Sequence, residues 1–331
     1  MTAREYDESD VRVRPGRRGS RPRTKRRPDH SDAVTAMVTT VDRGRWTCAI
    51  GGDANKPRVV AMRARELGRT PIVVGDRVGL VGDLSGDPDT IARIVRVDER
   101  TTVLRRTADD TDPFERVVVA NAEQLVIVTS VSEPPPRTGF VDRCLVAAYA
   151  GGLAPVLCLT KTDLADPGPF AAQYRDLDIP VLMTRRDREP AELDELLAGR
   201  VSALVGHSGV GKSTLVNVLV PDADRAVGAV SAVGKGRHTT TAALALPLPG
   251  ERGGWVIDTP GVRSFGLAHV TPDDVLNAFD DLAVAIEDCP RGCGHLGPPA
   301  DPECALDVLV ERGQLRPARL AALRRVLVAL R

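Results

Sequence analysis

Apolar positions along this chain follow two different periods, and the change between them divides it. Between residues 33 and 105 the apolar runs are short and alternate with polar side chains: Val34–Val41, Arg45–Ile50, Arg58–Arg65, Asp76–Val81 and Thr90–Val97, each bounded by Gly, Asp, Asn or Pro clusters. Alternation of period two marks half-buried strands, and the clusters supply turns. Five such strands predict a small β-barrel, without selecting among barrel types. From Arg116 the strands become continuously apolar and alternate with helical spacing. Val117–Val119, Leu125–Val131, Pro155–Leu159, Val201–Val205 and Trp255–Ile257 read as buried strands, and Phe140–Ala150 and Ser213–Leu219 as helices. That rhythm predicts a parallel sheet covered by helices. A last helix is expected over Arg316–Arg331, where five arginines sit among leucines; it would close the C-terminal region, with RNA within reach of its arginines.

At 331 residues the chain exceeds one usual core, so two or three domains are expected. No apolar run approaches the length of about 18 residues needed to span a membrane, and the N-terminus is charged, unlike a signal peptide. A soluble, cytoplasmic, monomeric protein with no membrane partner is expected. The 45 basic and 45 acidic residues cancel, but unevenly. Residues 11–28 carry nine Lys or Arg and no acid, interrupted by Pro and Gly. Such a stretch reads as a disordered basic arm for RNA, or else as a solubility tail. Aromatic content of 3% limits base stacking, so RNA contacts would lean on phosphates and shape. Arg63, Arg65, Arg69 and Arg77 are candidates for such a surface, or a merely solvated strand face.

Candidate chemistry begins at Gly206-His207-Ser208-Gly209-Val210-Gly211-Lys212-Ser213, a loop of the form GxxxxGKS between a strand and a helix. Its glycines let backbone N–H groups converge on phosphate oxygens at the positive end of the helix dipole. Lys212 would reach the β- and γ-phosphates, the Ser213 hydroxyl would bind Mg²⁺, and Thr214 extends the cradle into the helix. The loop alone does not separate GTP from ATP.

Thr160-Lys161-Thr162-Asp163 makes that separation. It follows the apolar run Pro155–Leu159, at the carboxyl end of a strand, where open α/β sheets bind ligands. The Asp163 carboxylate would accept from the guanine N1–H and exocyclic amine, and the Lys161 stem would pack along the base. Adenine offers neither pair of donors, which would leave the carboxylate unsatisfied. A kinase or ATPase is therefore disfavoured. The base motif precedes the phosphate loop, the reverse of the usual GTPase order, so the domain reads as circularly permuted.

Downstream, Trp255-Val256-Ile257-Asp258-Thr259-Pro260-Gly261 is a strand ending in DTPG. Asp258 would hold Mg²⁺ through water, and the Gly261 N–H would sense the γ-phosphate. Between loop and strand lies Gly234–Thr241, basic and with three threonines. Thr240 is taken as the switch hydroxyl that closes on Mg²⁺. A solvated surface loop is the other reading, and the two are compatible because such switches order only with the γ-phosphate. After DTPG many GTPases place a water-orienting Gln; here Val262 stands there. His238, beside the threonines, is the candidate to orient water, with Lys212 and Thr240 completing the catalytic set. Its alternative is a contact to RNA or a passive place in the loop.

The stretches ANAEQLVIVTS (120–130), TKTDL (160–164), GHSGVGKSTLVN (206–217), GKGRHTTT (234–241) and DTPGVRSFG (258–266), followed by a cysteine-rich tail, resemble the ribosome-small-subunit-dependent GTPase A family (RsgA/YjeQ) over residues 33–331. The resemblance implies an N-terminal OB-fold, a central permuted GTPase domain and a C-terminal zinc domain. It also implies GTP hydrolysis to GDP stimulated by the 30S ribosomal subunit during late maturation, with 16S rRNA as a contact. In that family a Ser-Ala pair donates a backbone N–H to the guanine carbonyl. Thr184 and Arg185 stand at the corresponding place here.

Cys48, Cys144 and Cys158 are scattered in apolar segments and are expected to be buried thiols. Cys289, Cys293, His295 and Cys304 crowd into a Gly- and Pro-rich stretch, a Cys₃His set suited to one structural Zn²⁺. Free or reactive cysteines are the alternative. The Cys289–Cys293 spacing is one residue shorter than usual in the family and the His295–Cys304 loop longer.

The chain is thus expected to be a multidomain α/β protein. A disordered basic arm (1–30) precedes a five-stranded OB-fold β-barrel (31–105), a circularly permuted P-loop GTPase domain (106–268) and a helical zinc-binding domain (269–331). The function expected is Mg²⁺-dependent GTP hydrolysis that assists or checks maturation of the small ribosomal subunit. A nucleotide-gated RNA-binding module with incidental hydrolysis is the competing reading. Permutation places the second switch directly ahead of the zinc domain, so that γ-phosphate-dependent movement there would reorient that domain.

Overall fold

The computed structural model of the chain describes residues 30–106, 116–221, 223, 243–259, 267 and 270–330. The basic stretch at 11–28, Thr240, His238, Gly261 and Val262 lie outside them.

Five strands close the N-terminal barrel: β1 (Val34–Asp42), β2 (Arg45–Ile50), β3 (Arg58–Arg63), β4 (Arg77–Val81) and β5 (Ala92–Val97). β1 pairs antiparallel with both β2 and β4, β4 pairs with β5, and β3 runs parallel to β5, which completes the ring. A shift of register between Val38 and Thr40 lets β1 bend out of the barrel, the usual effect of a bulge. The alternating positions Ala36, Val38, Trp46, Cys48, Val59, Ala61, Val78, Leu80, Ala92 and Ile94 fill its core.

A hairpin follows that the apolar pattern only half revealed, β6 (Val103–Arg106) with β7 (Arg116–Ala120). The boundary expected after residue 105 falls inside β6. The junction here is tight. Gly75, at φ +89°, lies so close to Ala120 that an added Cβ would stand 1.9 Å from the Ala120 carbonyl oxygen. The Asn121 side chain donates to the Gly75 carbonyl at 3.0 Å and accepts from the Thr101 N–H at 2.9 Å. These bonds seat the barrel on the nucleotide-binding half.

That half is a sheet in the order β10 (Val181–Met183), β9 (Ala154–Thr160), β8 (Gln124–Ser130), β11 (Val201–Gly206), β13 (Trp255–Asp258), β12 (Leu244–Pro247). All but β12 are parallel. β12 was not expected from the sequence, because two prolines interrupt its neighbourhood. It pairs with β13 on one side and, at Leu244 and Thr40, with β1 on the other. One sheet of eleven strands therefore runs from the base-motif edge into the barrel.

Each parallel strand is apolar on both faces because both are covered. Leu125, Ile127, Leu157, Leu159, Ala203 and Val205 face α1 (Thr138–Ala150) and the C-terminal helices. Val126, Val128, Val156, Cys158 and Leu204 face α3 (Ala191–Leu197) and α4 (Lys212–Leu219); α2 (Gly168–Ala171) is a single turn. Helices this short are marginal alone. Burying an aliphatic side chain contributes about 1.5–3 kcal/mol, so Leu193, Leu197, Leu215, Val216 and Leu219 hold α3 and α4 in place.

The C-terminal segment forms α5 (Pro272–Leu276), α6 (Asp280–Ala283), α7 (Ala305–Glu311) and α8 (Pro317–Val328). α8 lies on α1, where Leu320, Leu323, Val326 and Leu327 join the same core as Val141, Cys144 and Leu145. Its arginines tie it down: Arg316 to Asp176 at 2.8 Å, Arg319 to Asp178, Arg324 to Asp307 at 2.7 Å, and Arg325 beside Asp142. Four of the five arginines expected on this helix thus meet carboxylates of the chain itself.

Candidate functional site

Parallel strands present their carboxyl ends on one edge, and the register fixes which residues meet there. Ser130 is opposite Thr160, Met183 opposite Leu159, Gly206 opposite Val128 and Asp258 opposite Leu204. The base motif, the phosphate loop, Thr184 and the DTPG aspartate therefore share one edge of the sheet.

The phosphate loop turns on glycines. Gly209 (φ +83°) and Gly211 (φ +93°) adopt left-handed backbone, and an added Cβ on Gly206 would stand 2.6 Å from the Val128 carbonyl oxygen. Gly211 directly precedes α4, so Lys212, Ser213 and Thr214 form the first helical turn. The Thr160 hydroxyl donates to the Val210 carbonyl, joining the base motif to the middle of the phosphate loop. His207 packs its ring on Phe140 at the start of α1, with centroids 4.0 Å apart. Burial and the charge of Arg137 lower its pKa, which favours the neutral imidazole. Ser208 and Ser213 are exposed along the loop.

The base motif is shaped by Lys161, a non-glycine residue at φ +58°, whose ammonium donates to the Glu133 carbonyl. The Thr162 N–H and hydroxyl both donate to the Thr184 carbonyl, at 3.3 and 3.2 Å. The Thr184 N–H in turn donates to Leu159 at 2.7 Å. Thr184 is thereby held against the base motif. Arg185 grips Asp187 with two hydrogen bonds of 2.7 and 2.8 Å. That pairing, with the charge of Asp163 adding to it, raises the Arg185 pKa. A cleft of about 290 Å³ opens between these parts, lined by Thr160, Lys161, Thr184, Arg185, Gly211 and Thr214 among others. Asp163 is exposed. The Lys212 ammonium is ion-paired to Asp258 at the end of β13, and the Thr259 hydroxyl is engaged by the Leu204 carbonyl.

Cys289, Cys293, His295 and Cys304 form a second site, their ligand atoms all within 4.8 Å of one another. The Cys289 and Cys304 sulfurs lie 3.4 and 3.9 Å from His295 Nδ1. A tetrahedral zinc with its usual Zn–S and Zn–N lengths requires about 3.6 Å along that edge, so the donors fit such an ion. Backbone N–H groups of His295 and Ala305 donate to the Cys293 and Cys289 sulfurs at 3.4 and 3.3 Å, which favours thiolates. Burial opposes ionisation of Cys304, but hydrogen bonds from His295, the Leu306 N–H and Cys293 bring its thiol down to about 7. Cys48, Cys144 and Cys158 are buried, and burial pushes the Cys48 and Cys158 thiols up to about 12.

Three groups of residues around these sites had no signal in the spacing: Phe140 against His207, Asp142 against Arg325, and Asp273 against His295. Each is a contact between distant segments. Only Thr271-Pro272-Asp273-Asp274 carried a local mark, a capping-box pattern that the structure forms in full.

Comparison with known proteins agrees with this geometry. The family model described as RsgA GTPase matches residues 97–268. A protein of Chlorobaculum parvum called small ribosomal subunit biogenesis GTPase RsgA is 35% identical over 303 residues, covering 87% of this chain and 96% of that protein. The protein of the same name from Chlorobaculum tepidum is 38% identical over 263 residues, covering 76% and 83%. Among solved structures, YjeQ from Thermotoga maritima superposes with a TM-score of 0.64 at 27% identity, covering 90% of this chain and 98% of that one. YloQ, described as a circularly permuted GTPase, has the same TM-score at 23% identity and shares the fold.

Proposed function

The chain belongs to the RsgA GTPase family, and from that premise we propose that it is a Mg²⁺-dependent GTPase that binds the 30S ribosomal subunit and assists or checks its late maturation. The observation that carries the nucleotide reading is the Thr160 hydroxyl bonded to the Val210 carbonyl, a contact that supports reading Thr160–Asp163 and the phosphate loop, in reversed sequence order, as parts of one site. Asp163 selects guanine, Lys161 flanks the base, and Thr184 with Arg185 closes the far side. Gly206 to Thr214 cradle the phosphates, with Lys212 on the β- and γ-oxygens. Mg²⁺ is held by Ser213, by Asp258 through water and by Thr240, while Gly261 reports the γ-phosphate. The close approach of Lys212 and Asp258 supports these roles, because phosphate and its cation need neighbouring partners of opposite charge.

The Cys₃His set takes one Zn²⁺ as a structural ion, and the ion supplies a rigid cross-link to the Gly- and Pro-rich stretch 289–304. Barrel and zinc region flank the GTPase half, and both contribute to contact with 16S rRNA. The domains are taken as 31–105, 106–268 and 269–331, with the β6–β7 pair at the junction of the first two. Among the described residues no helix is long and apolar enough to cross a membrane; the reading is of a monomer that works in the cytoplasm.

Turnover of GTP with and without purified 30S subunits tests the reading. Strong stimulation that EDTA abolishes is expected. GTP-dependent binding to the subunit without stimulation would replace it with a nucleotide-gated RNA-binding module.

A further inference from the structure

We propose that Asp273 is a positioning residue for the metal ligand His295 and that this bond ties the metal site to the helix following the DTPG segment. The inference rests on the reading of Cys289, Cys293, His295 and Cys304 as a metal site. The His295 ring is almost wholly buried, and its two nitrogens face different partners. Nδ1 faces the sulfurs of Cys289 and Cys304 at 3.4 and 3.9 Å, whereas Nε2 meets Asp273 Oδ1 at 2.7 Å. A carboxylate on Nε2 keeps the proton on that nitrogen, which leaves the Nδ1 lone pair directed at the metal. Partners of this kind fix both tautomer and ring orientation.

The rest of the surroundings hold the backbone and leave the ring to Asp273. His295 has left-handed backbone at φ +58°. The Asp301 carboxylate accepts from the N–H groups of Gly294 and Leu296 at 3.0 and 2.9 Å, and Arg324 donates to the His295 carbonyl at 3.0 Å. Among the described residues, Asp273 supplies the carboxylate on the imidazole. Its neighbour Asp274 has a different task. The Asp274 carboxylate accepts from the Thr271 N–H and hydroxyl, and its own N–H donates to the Thr271 hydroxyl, closing the capping box of α5. The two adjacent acids therefore separate by partner: Asp274 caps the helix, and Asp273 holds the histidine. Asp273 lies fifteen residues beyond Asp258, so its bond joins the metal site to α5, a helix that follows β13 in the chain.

Zinc competition in the full-length protein, with a chromophoric chelator at fixed pH, tests this. Asp273→Ala should weaken zinc binding about tenfold, and Asp273→Asn, whose amide oxygen still accepts from Nε2–H, should fall between it and the parent. Asp274→Ala should bind zinc as the parent does. Hydrogen exchange should show faster exchange across 273–277 in the parent once zinc is stripped, and in zinc-loaded Asp273→Ala. Unchanged affinity in Asp273→Ala overturns the inference, as does an equal loss in Asp274→Ala, which would make the helix cap the cause. Cys293→Ser separates the premise from the inference. If it binds zinc like the parent, the metal site itself is misassigned; if it loses zinc while Asp273→Ala keeps it, only the role of Asp273 falls.

Discussion

Lys212 and Asp258 form an ion pair that spans from the first turn of α4 to the end of β13, with the Lys212 side chain 10% exposed and that of Asp258 26%. The two charges suit different parts of the proposed nucleotide site: the ammonium suits phosphate oxygens, and the carboxylate suits a cation that bridges them. Removing the ammonium deletes a charge-assisted contact to phosphate, for which about 1.5–3 kcal/mol is typical. Lys212→Ala should therefore bind GTP one to two orders of magnitude more weakly, by titration with a fluorescent GTP analogue. Parent-like affinity would place the phosphates elsewhere.

Base choice is separable from phosphate binding. Asp163→Asn should weaken GTP by a similar factor, since a charge-assisted bond to guanine is lost, and should improve binding of xanthosine triphosphate, whose C2 carbonyl accepts from the new amide. Competition between the two nucleotides measures the switch. A mutant that keeps the parent's preference for GTP removes Thr160–Asp163 from the base site.

Much of this site is local in sequence, and that is why it could be read. The phosphate loop needs glycines at left-handed positions, and Gly209 and Gly211 occupy them. The strands ahead of both motifs are buried on two faces, so their apolar runs are unbroken. β12 was illegible for the opposite reason: it is short, contains proline, and owes its place to pairing with β1 and β13. Continuity of the barrel with the nucleotide-binding sheet rests on a pairing between Thr40 and Leu244, about which neither segment says anything alone. Asp273 and His295 are likewise joined only by folding.

Asp142 makes the contact between α1 and α8 sensitive to pH. Burial pushes its carboxyl up to about 6 even though Arg325 and Tyr174 favour the charged form. The nearest Arg325 nitrogen stands 3.4 Å away, an ion pair too loose for a hydrogen bond. A folded pKa above the unfolded value of 3.8 means that the native state binds the extra proton. Its contribution is full below the unfolded value and is lost as pH rises through about 6, at no more than ~1.4 kcal/mol per pH unit. Asp142→Asn removes that term. Urea midpoints measured from pH 4 to 6 should shift progressively in favour of the variant relative to the parent. A constant difference across the window would show that Asp142 does not titrate there.

Hydrolysis needs a group that orients water, and the chain's histidines narrow the choice. There are five. His295 belongs to the metal cluster, His30 stands at the entrance to the barrel, and His207 is packed on Phe140 with a lowered pKa. The Thr259 hydroxyl is already given to the Leu204 carbonyl, and Val262 has no polar group to offer where many GTPases use Gln. His238 and His269 remain, and His238 lies next to Thr239, Thr240 and Thr241, among which the proposed switch ligand Thr240 stands. General acid–base groups contribute about 10²–10⁴-fold to rate. His238→Ala should leave GTP affinity unchanged and remove most subunit-stimulated turnover, by at least the lower of those factors, while His207→Ala should lower affinity and turnover together by loosening the phosphate loop. Full stimulated turnover in His238→Ala would assign the water to the backbone, to another side chain or to the ribosome.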